Sequence, residues 1–253
     1  MCLIIFAHRV DDATPLVVAA NRDEFHARPT RPSQLWPEHP DLLAGQDLDQ
    51  GGTWMGVTRH GRFAAITNFR GGAGPAPRSR GELTLDFLLS RQGPEAYLDA
   101  IMARADEYAG FNLLVGDDTG LWYYGNHAQN APRALAPGVY GLSNAALDTP
   151  WPKVADGKTR LMALLQTRAL AHEDLASVVS DPAEADPAIL AGLGQHSAME
   201  QRLSSQFIVT PEYGTRSTTT LRRDANGDTH WQEISFDSSG AQTGQSELVL
   251  TSG

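Results

Sequence analysis

CLIIFA (residues 2–7) and PLVVAANRDEF (15–25) decide how this chain is read. Both are apolar runs of strand length rich in Leu, Ile and Val, and the polar segment Arg9–Thr14 between them reads as a turn. The pair is therefore expected as an antiparallel hairpin. A hairpin brings the start of its first strand beside the end of its second. Here those ends carry Cys2, the single cysteine among 253 residues, and the polar run Asn21, Arg22, Asp23, Glu24.

Working outward, TWMGVT (53–58) and RFAAITNF (62–69) read as a second hairpin around His60–Gly61. The proline-rich RPTRPSQLWPEHP (28–40) between the hairpins is expected as an extended loop, because proline removes ladder donors. Apolar residues at three- and four-residue spacing predict helices over 81–91 and 93–110. FNLLVGD (111–117), GLWYYGN (120–126) and GVYGLSN (138–144) read as strands. A long helix is expected over 150–170 after a proline-rich start, and another near 172–180. SQFIVT (205–210), TRSTTTLRR (215–223) and THWQEISFD (229–237) read as strands, the last two joined by Asn226–Gly227. Strand blocks around a helical middle, with no linker or repeat, imply one domain over 1–253. Its class is α+β, with antiparallel sheets layered with helices.

Composition narrows the function. A net charge of −10 leaves no broad basic surface for phosphate neutralisation, which argues against nucleic acid as a partner. One cysteine forms no internal disulfide, and no C-x-x-C or H-x-x-x-H spacing suggests a metal, so none is expected. The apolar run 3–7 is too short for a signal peptide or a membrane span. The expected setting is the reducing cytoplasm, where a thiol stays free. The glycine-rich stretch 70–81 lacks the phosphate-loop pattern and is expected as a loop over a pocket.

The chemistry centres on Cys2. Its ordinary role would be packing in a buried strand. If Met1 is removed, however, one residue carries both a thiol and an α-amine, and the amine can act as the thiol's base. A carboxylate in the Asn21–Glu24 run could hold that amine, and a guanidinium could favour thiolate. Successive strand residues face opposite ways, so only one of Arg22 and Asp23 is expected to face the thiol without a bulge; Asp23 is the expected one. Asn68 and Asn144 end strands, where asparagine commonly forms turns but its amide can also stabilise an oxyanion. Arg216 is a further catalytic candidate. Asn21, Arg22, Trp54 and Phe69 are the substrate-binding candidates.

An ordered set of segments carries a resemblance: MC at the start, NRDE (21–24), GGTWMGV (51–57), TNFR (67–70), SRGELTLDFL (79–88), GLSNAALDTPWPKV (141–154) and TRSTT (215–219). Together they resemble the NRDE family, also called the transport-and-Golgi-organisation family. That family in turn resembles the N-terminal nucleophile (Ntn) hydrolases, such as penicillin V acylase and bile salt hydrolase. The resemblance implies a four-layer αββα sandwich and cleavage of an amide C–N bond. By position it implies Cys2 as nucleophile, Asp23 as orienter of the amine and Asn144 in the oxyanion hole, with Asn68 and Arg216 as further site residues. The arginine that those hydrolases carry a few residues before the aspartate here abuts it, as Arg22. Under this reading no cofactor is required and the partner is a small-molecule substrate. The alternative is a non-catalytic protein that binds haem, acyl-CoA or lipid and passes it on.

Overall fold

A computed structural model of the protein describes residues 2–71, 76–127 and 131–253. The apolar run at the start forms β1 (Cys2–His8), paired antiparallel with β2 (Leu16–Phe25) as the sequence leads one to expect. Then come β3 (Thr30–Trp36), β4 (His39–Asp47), β5 (Met55–Thr58) and β6 (Phe63–Asn68). Helices α1 (Arg80–Leu89) and α2 (Pro94–Met102) precede β7 (Phe111–Gly116), β8 (Leu121–Gly125), β9 (Arg133–Ala134) and β10 (Gly138–Leu142). Four helices follow, α3 (Pro152–Thr167), α4 (His172–Ser177), α5 (Pro187–Gly192) and α6 (Ala198–Arg202). The chain then forms β11 (Tyr213–Arg223), β12 (Thr229–Phe236) and β13 (Gln242–Leu250).

The strands make two sheets, ordered β10-β1-β2-β11-β12-β13 and β3-β4-β5-β6-β7-β8-β9. Alternation along each strand builds the layers. Ile4, Phe6, Val18 and Ala20 face Val57, Ala65 and Leu114 between the sheets. Their neighbours Leu3, Ile5 and Ala19 point outward onto Val154, Leu161 and Leu175 of α3 and α4. On the other side Ala64, Ile66 and Leu113 meet Leu83, Phe87 and Leu98 of α1 and α2. The result is the expected αββα sandwich. Each fully buried Leu, Ile or Phe contributes about 1.5–3 kcal/mol of transfer free energy to holding it together.

Two expectations fail for backbone reasons. Residues 28–40 are not a loop: they enter the hairpin of β3 and β4. Proline is tolerated there because β3 is an edge strand, Pro32 falls where the register shifts between Arg31 and Gln34, and Pro37 occupies the turn. Residues 205–210 form no strand. The N–H groups of Gln206 and Phe207 both bond to Asp181 O, and that of Ile208 bonds to Thr215 Oγ1, so only a bridge from Val209 to Gly214 remains. The helices α5 and α6 and the strand β13 were not anticipated.

The end of the sandwich where β1 begins is shaped by a close crossing. A Cβ on Gly52 would lie 2.5 Å from the carbonyl carbon of Gly81, so the chain leading into β5 and the start of α1 touch backbone to backbone. Thr53 N donates to Gly81 O at 3.2 Å, and the Thr84 hydroxyl donates to Thr53 O. Among the described residues no helix is long and apolar enough to cross a membrane, and no group of three or more His, Cys, Asp or Glu is arranged to hold a metal.

Candidate active site

Cys2 is the first residue of β1 and lines an open pocket of about 580 Å³ with Arg22, Trp54, Asn68, Arg80 and Arg216. The residue as a whole is half-buried at the wall of that space. The pocket forms where β1 begins and β6 ends, joined there through Asn144, and Gly52 and Gly81 at the backbone crossing are part of its lining. The part of the glycine-rich loop at 72–75 lies outside the described residues, but Ala76, Pro77, Arg78 and Ser79 line the pocket.

The β1–β2 register pairs Cys2 with Arg22. Paired residues project on the same face of a sheet, so Arg22, not Asp23, extends from the face of the thiol. This corrects the expectation that Asp23 would be the one to face it. Asp23 instead reaches the sulfur through its backbone N–H. Its buried carboxylate points to the helix-covered face and accepts from Thr215 Oγ1 at 2.8 Å. Burial and, after it, the Asp23 carboxylate push the Cys2 thiol up from its ordinary value, opposed by the Asp23 N–H and the Arg22 charge. Burial also pushes the Asp23 carboxyl up, against the pull of Lys153, Thr215 and Arg22.

Lys153 escaped the sequence reading. It sits at the start of α3, almost fully buried, with its ammonium donating to Leu203 O at 2.9 Å. Burial lowers its pKa to about 8, and the charges of Asp23 and Cys2 act against that fall. A lysine within a proline-flanked helix start gives no sequence signal of burial.

Asn144 follows β10, which pairs with β1, and so passes beside Cys2. Its Oδ1 accepts from the Cys2 backbone N at 3.3 Å, and its Nδ2 donates to Asn68 O at 2.7 Å. Ser143 Oγ donates to Cys2 O at 2.9 Å, and Ser143 O accepts from Thr67 Oγ1 at 2.6 Å. The two sheets are thus stitched together at the cysteine. Asn144 grips the nitrogen of Cys2 rather than reaching into the pocket. Asn68 does line the pocket. Phe69 N bonds to Gly110 O across one ladder and Ile66 N to Trp54 O across the other. By that alternation the backbone N–H of Asn68 points to the side that β5 has left.

Arg216 is the extra residue of a bulge, since Thr215 pairs with Asp23 while Ser217 pairs with Arg22. Its Nη1 donates to the carbonyls of Phe25, His26 and Arg28, closing the turn between β2 and β3 at the pocket wall. Two binding candidates lie elsewhere. Asn21 is fully buried on the other face of β2, where its amide donates to Val179 O and Gln206 O and accepts from Thr218 Oγ1. Phe69 stacks on His127 with ring centroids 3.8 Å apart and is not among the pocket-lining residues. Alternation placed Asn21 there; it faces the same way as Asp23.

Fold and site together define a four-layer α+β protein whose sandwich opens at one end over a cysteine heading a central strand. The chain belongs to the Transport and Golgi organisation 2 family, whose profile matches residues 1–238. It is 36% identical to the Transport and Golgi organization protein 2 homolog of Bos taurus, over 93% of each chain. Against the Homo sapiens homolog it is 34% identical, again over 93% of each, and against the Drosophila melanogaster protein 26% over 70% of this chain and 69% of that one. Among solved structures it is similar to a Caenorhabditis elegans N-acylethanolamine-hydrolyzing acid amidase ortholog, with TM-score 0.49 and 10% identity over 87% and 92% of the two chains. It is also similar to a variant of conjugated bile acid hydrolase from Clostridium perfringens, with TM-score 0.45 and 10% identity over 97% and 96%. Both likenesses are distant.

Proposed function

We propose that the protein is an N-terminal-cysteine hydrolase that cleaves the amide C–N bond of a small acyl amide. The observation that carries this reading is the pairing of Cys2 with Asn144: the nitrogen of Cys2 is held by an amide oxygen while its sulfur borders an open pocket. Removal of Met1 turns that nitrogen into an amine of pKa about 8, suited to take a proton near neutral pH.

In the proposed cycle the thiol proton passes to the Cys2 amine as the sulfur attacks the amide carbonyl carbon. The oxyanion that forms is held by the backbone N–H of Asn68, a contact worth about 10²–10³ in rate where such donors have been removed. The C–N bond then breaks, and the leaving nitrogen takes the proton from the ammonium. Water, deprotonated by the same amine, attacks the resulting thioester and releases the acid and the free thiol. Asn144 positions the amine, Asp23 and Lys153 set the charge beside it, and Arg216 holds the pocket wall.

One observation favours a second reading, a carrier of haem, acyl-CoA or lipid: burial pushes the thiol toward its neutral, weakly nucleophilic form. Among the described residues no histidine lines the pocket, so haem would be held there by its apolar and carboxylate groups, and by Cys2 only when that thiol is deprotonated. A panel of N-acyl amides incubated with wild type and Cys2→Ala separates the two. Turnover lost in a variant with unchanged circular dichroism supports the hydrolase. Turnover retained in Cys2→Ala removes it. No turnover in either protein, with a saturable Soret shift on adding haem, supports the carrier.

A further inference from the structure

Among the described residues six arginines and five acids line the pocket of Cys2 in a chain of net charge −10, and the arginines are not equivalent. Arg28 is paired with Asp47 at 2.7 Å and Asp49 at 3.6 Å, and Arg78 with Glu82 and Glu107 at 2.5 and 3.1 Å. Arg31 bonds to the Gln46 amide oxygen at the exposed rim.

The other three meet only neutral oxygens. Arg22 donates to Thr30 Oγ1, Arg80 to Gly110 O, and Arg216 to the three turn carbonyls. Among the described residues none of these three guanidiniums has a carboxylate within 4.0 Å. The acids that share the pocket hydrogen-bond elsewhere, although Glu24 acts through space on Arg80 and Arg216, and Arg22 on Asp23 and Glu233. Asp23 accepts from Thr215, Glu24 from the N–H of Phe25, and Glu233 from the N–H and hydroxyl of Ser33. Arg22 is only 7% exposed. A buried charge without a direct ion pair is costly, and three such guanidiniums converging on one pocket favour an anion among them.

The setting adds to this. Burial lowers the pKa of Arg80 and of Arg216, and the charge of Glu24 acts against that fall at both. The ten-residue helix α1 begins at Arg80; its N-cap Ser79 makes no side-chain cap, and Ser79, Arg80 and Gly81 all line the pocket. The positive end of that helix adds to the same field.

We propose that the pocket binds its ligand by an anionic group, a carboxylate or a phosphate, held by Arg22, Arg80 and Arg216 beside the Cys2 thiol. Resting on the hydrolase reading, this makes the substrate an acyl amide that bears an acid group close to the bond cleaved.

Because Cys2 is the only cysteine, its alkylation in the full-length protein reads the local field directly. The rate of modification by iodoacetate, divided by that by neutral iodoacetamide, is compared with the same ratio for free cysteine. The ratio is expected to exceed the free-cysteine value by about tenfold, within the range of electrostatic focusing, and to fall toward it in Arg80→Gln. A ratio no higher than that of free cysteine in the wild type overturns the proposal. So does a raised ratio that persists in both Arg80→Gln and the Arg80→Gln/Arg216→Gln double variant.

Competition names the acid: protection by inorganic phosphate at lower concentration than acetate points to a phosphate, and the reverse points to a carboxylate. Protection by neither also overturns the proposal. The assay needs no turnover, so the two ideas fail separately. A Cys2-dependent hydrolase with no preference for iodoacetate would keep the enzyme and lose the anion site, whereas the preference without turnover would do the opposite.

Discussion

The backbone nitrogen of Cys2 and the side-chain oxygen of Asn144 lie 3.3 Å apart, although 142 residues separate them in the chain. The same amide donates to Asn68 O at 2.7 Å, so one side chain ties the head of β1 to the end of β6 across the two sheets. Replacing Asn144 with Ala leaves two backbone groups without their partner. The expected loss is about 1–3 kcal/mol of stability, measured by urea unfolding. The amine also loses its anchor, and a displacement of this kind costs about 10²-fold in kcat. Asn144→Asp keeps the acceptor for the Cys2 nitrogen and should retain more activity than Asn144→Ala. Equal activity in the two variants would contradict the positioning role.

Gly52 tests the pocket wall. A Cβ there meets Gly81 at 2.5 Å, backbone against backbone, with no flexible side chain to give way. Gly52→Ala should destabilise the fold by about 1–3 kcal/mol and separate α1 from the chain before β5. Since Arg80 rides on α1, substrate affinity should weaken as well, seen as a higher KM. Full stability and unchanged KM in Gly52→Ala would show that the crossing is not a constraint.

Lys153 gives a pH signature. Its folded-state pKa of about 8 lies below its ordinary 10.5. Between those values the unfolded chain binds more protons than the folded one, so stability from this group rises as pH rises from about 8 to 10.5. One proton bounds the slope at about 1.4 kcal/mol per pH unit. Urea unfolding across that range should show a rising component in the wild type that is missing in Lys153→Met. Identical slopes in the two proteins would contradict the buried, depressed lysine.

Much of the fold was legible because its signals are local. The β1–β2 hairpin, its Arg9–Thr14 turn and the Asn226–Gly227 turn follow from runs and turn residues within a few positions of one another. The β3–β4 hairpin was hidden because Pro32 argues against a strand unless the edge and the register shift are known. Residues 205–210 misled in the other direction, since their strand-like composition is overruled by hydrogen bonds to Asp181 and Thr215. At the site, alternation correctly allowed only one of Arg22 and Asp23 to share the face of Cys2. Which one depends on the register of the hairpin, and a one-residue slip exchanges them. Lys153 and Ser143 were out of reach, because their meaning lies in contacts made far along the chain, with Asp23 and Cys2.

The central claim is that the mature chain begins at Cys2, with the amine of that residue serving its own sulfur. Intact-mass measurement of the full protein, purified from the cell that naturally makes it, tests this most directly. The account expects the mass of a chain starting at Cys2, with an unmodified α-amine. A population that uniformly retains Met1 would contradict it, because an amide nitrogen cannot accept the thiol proton.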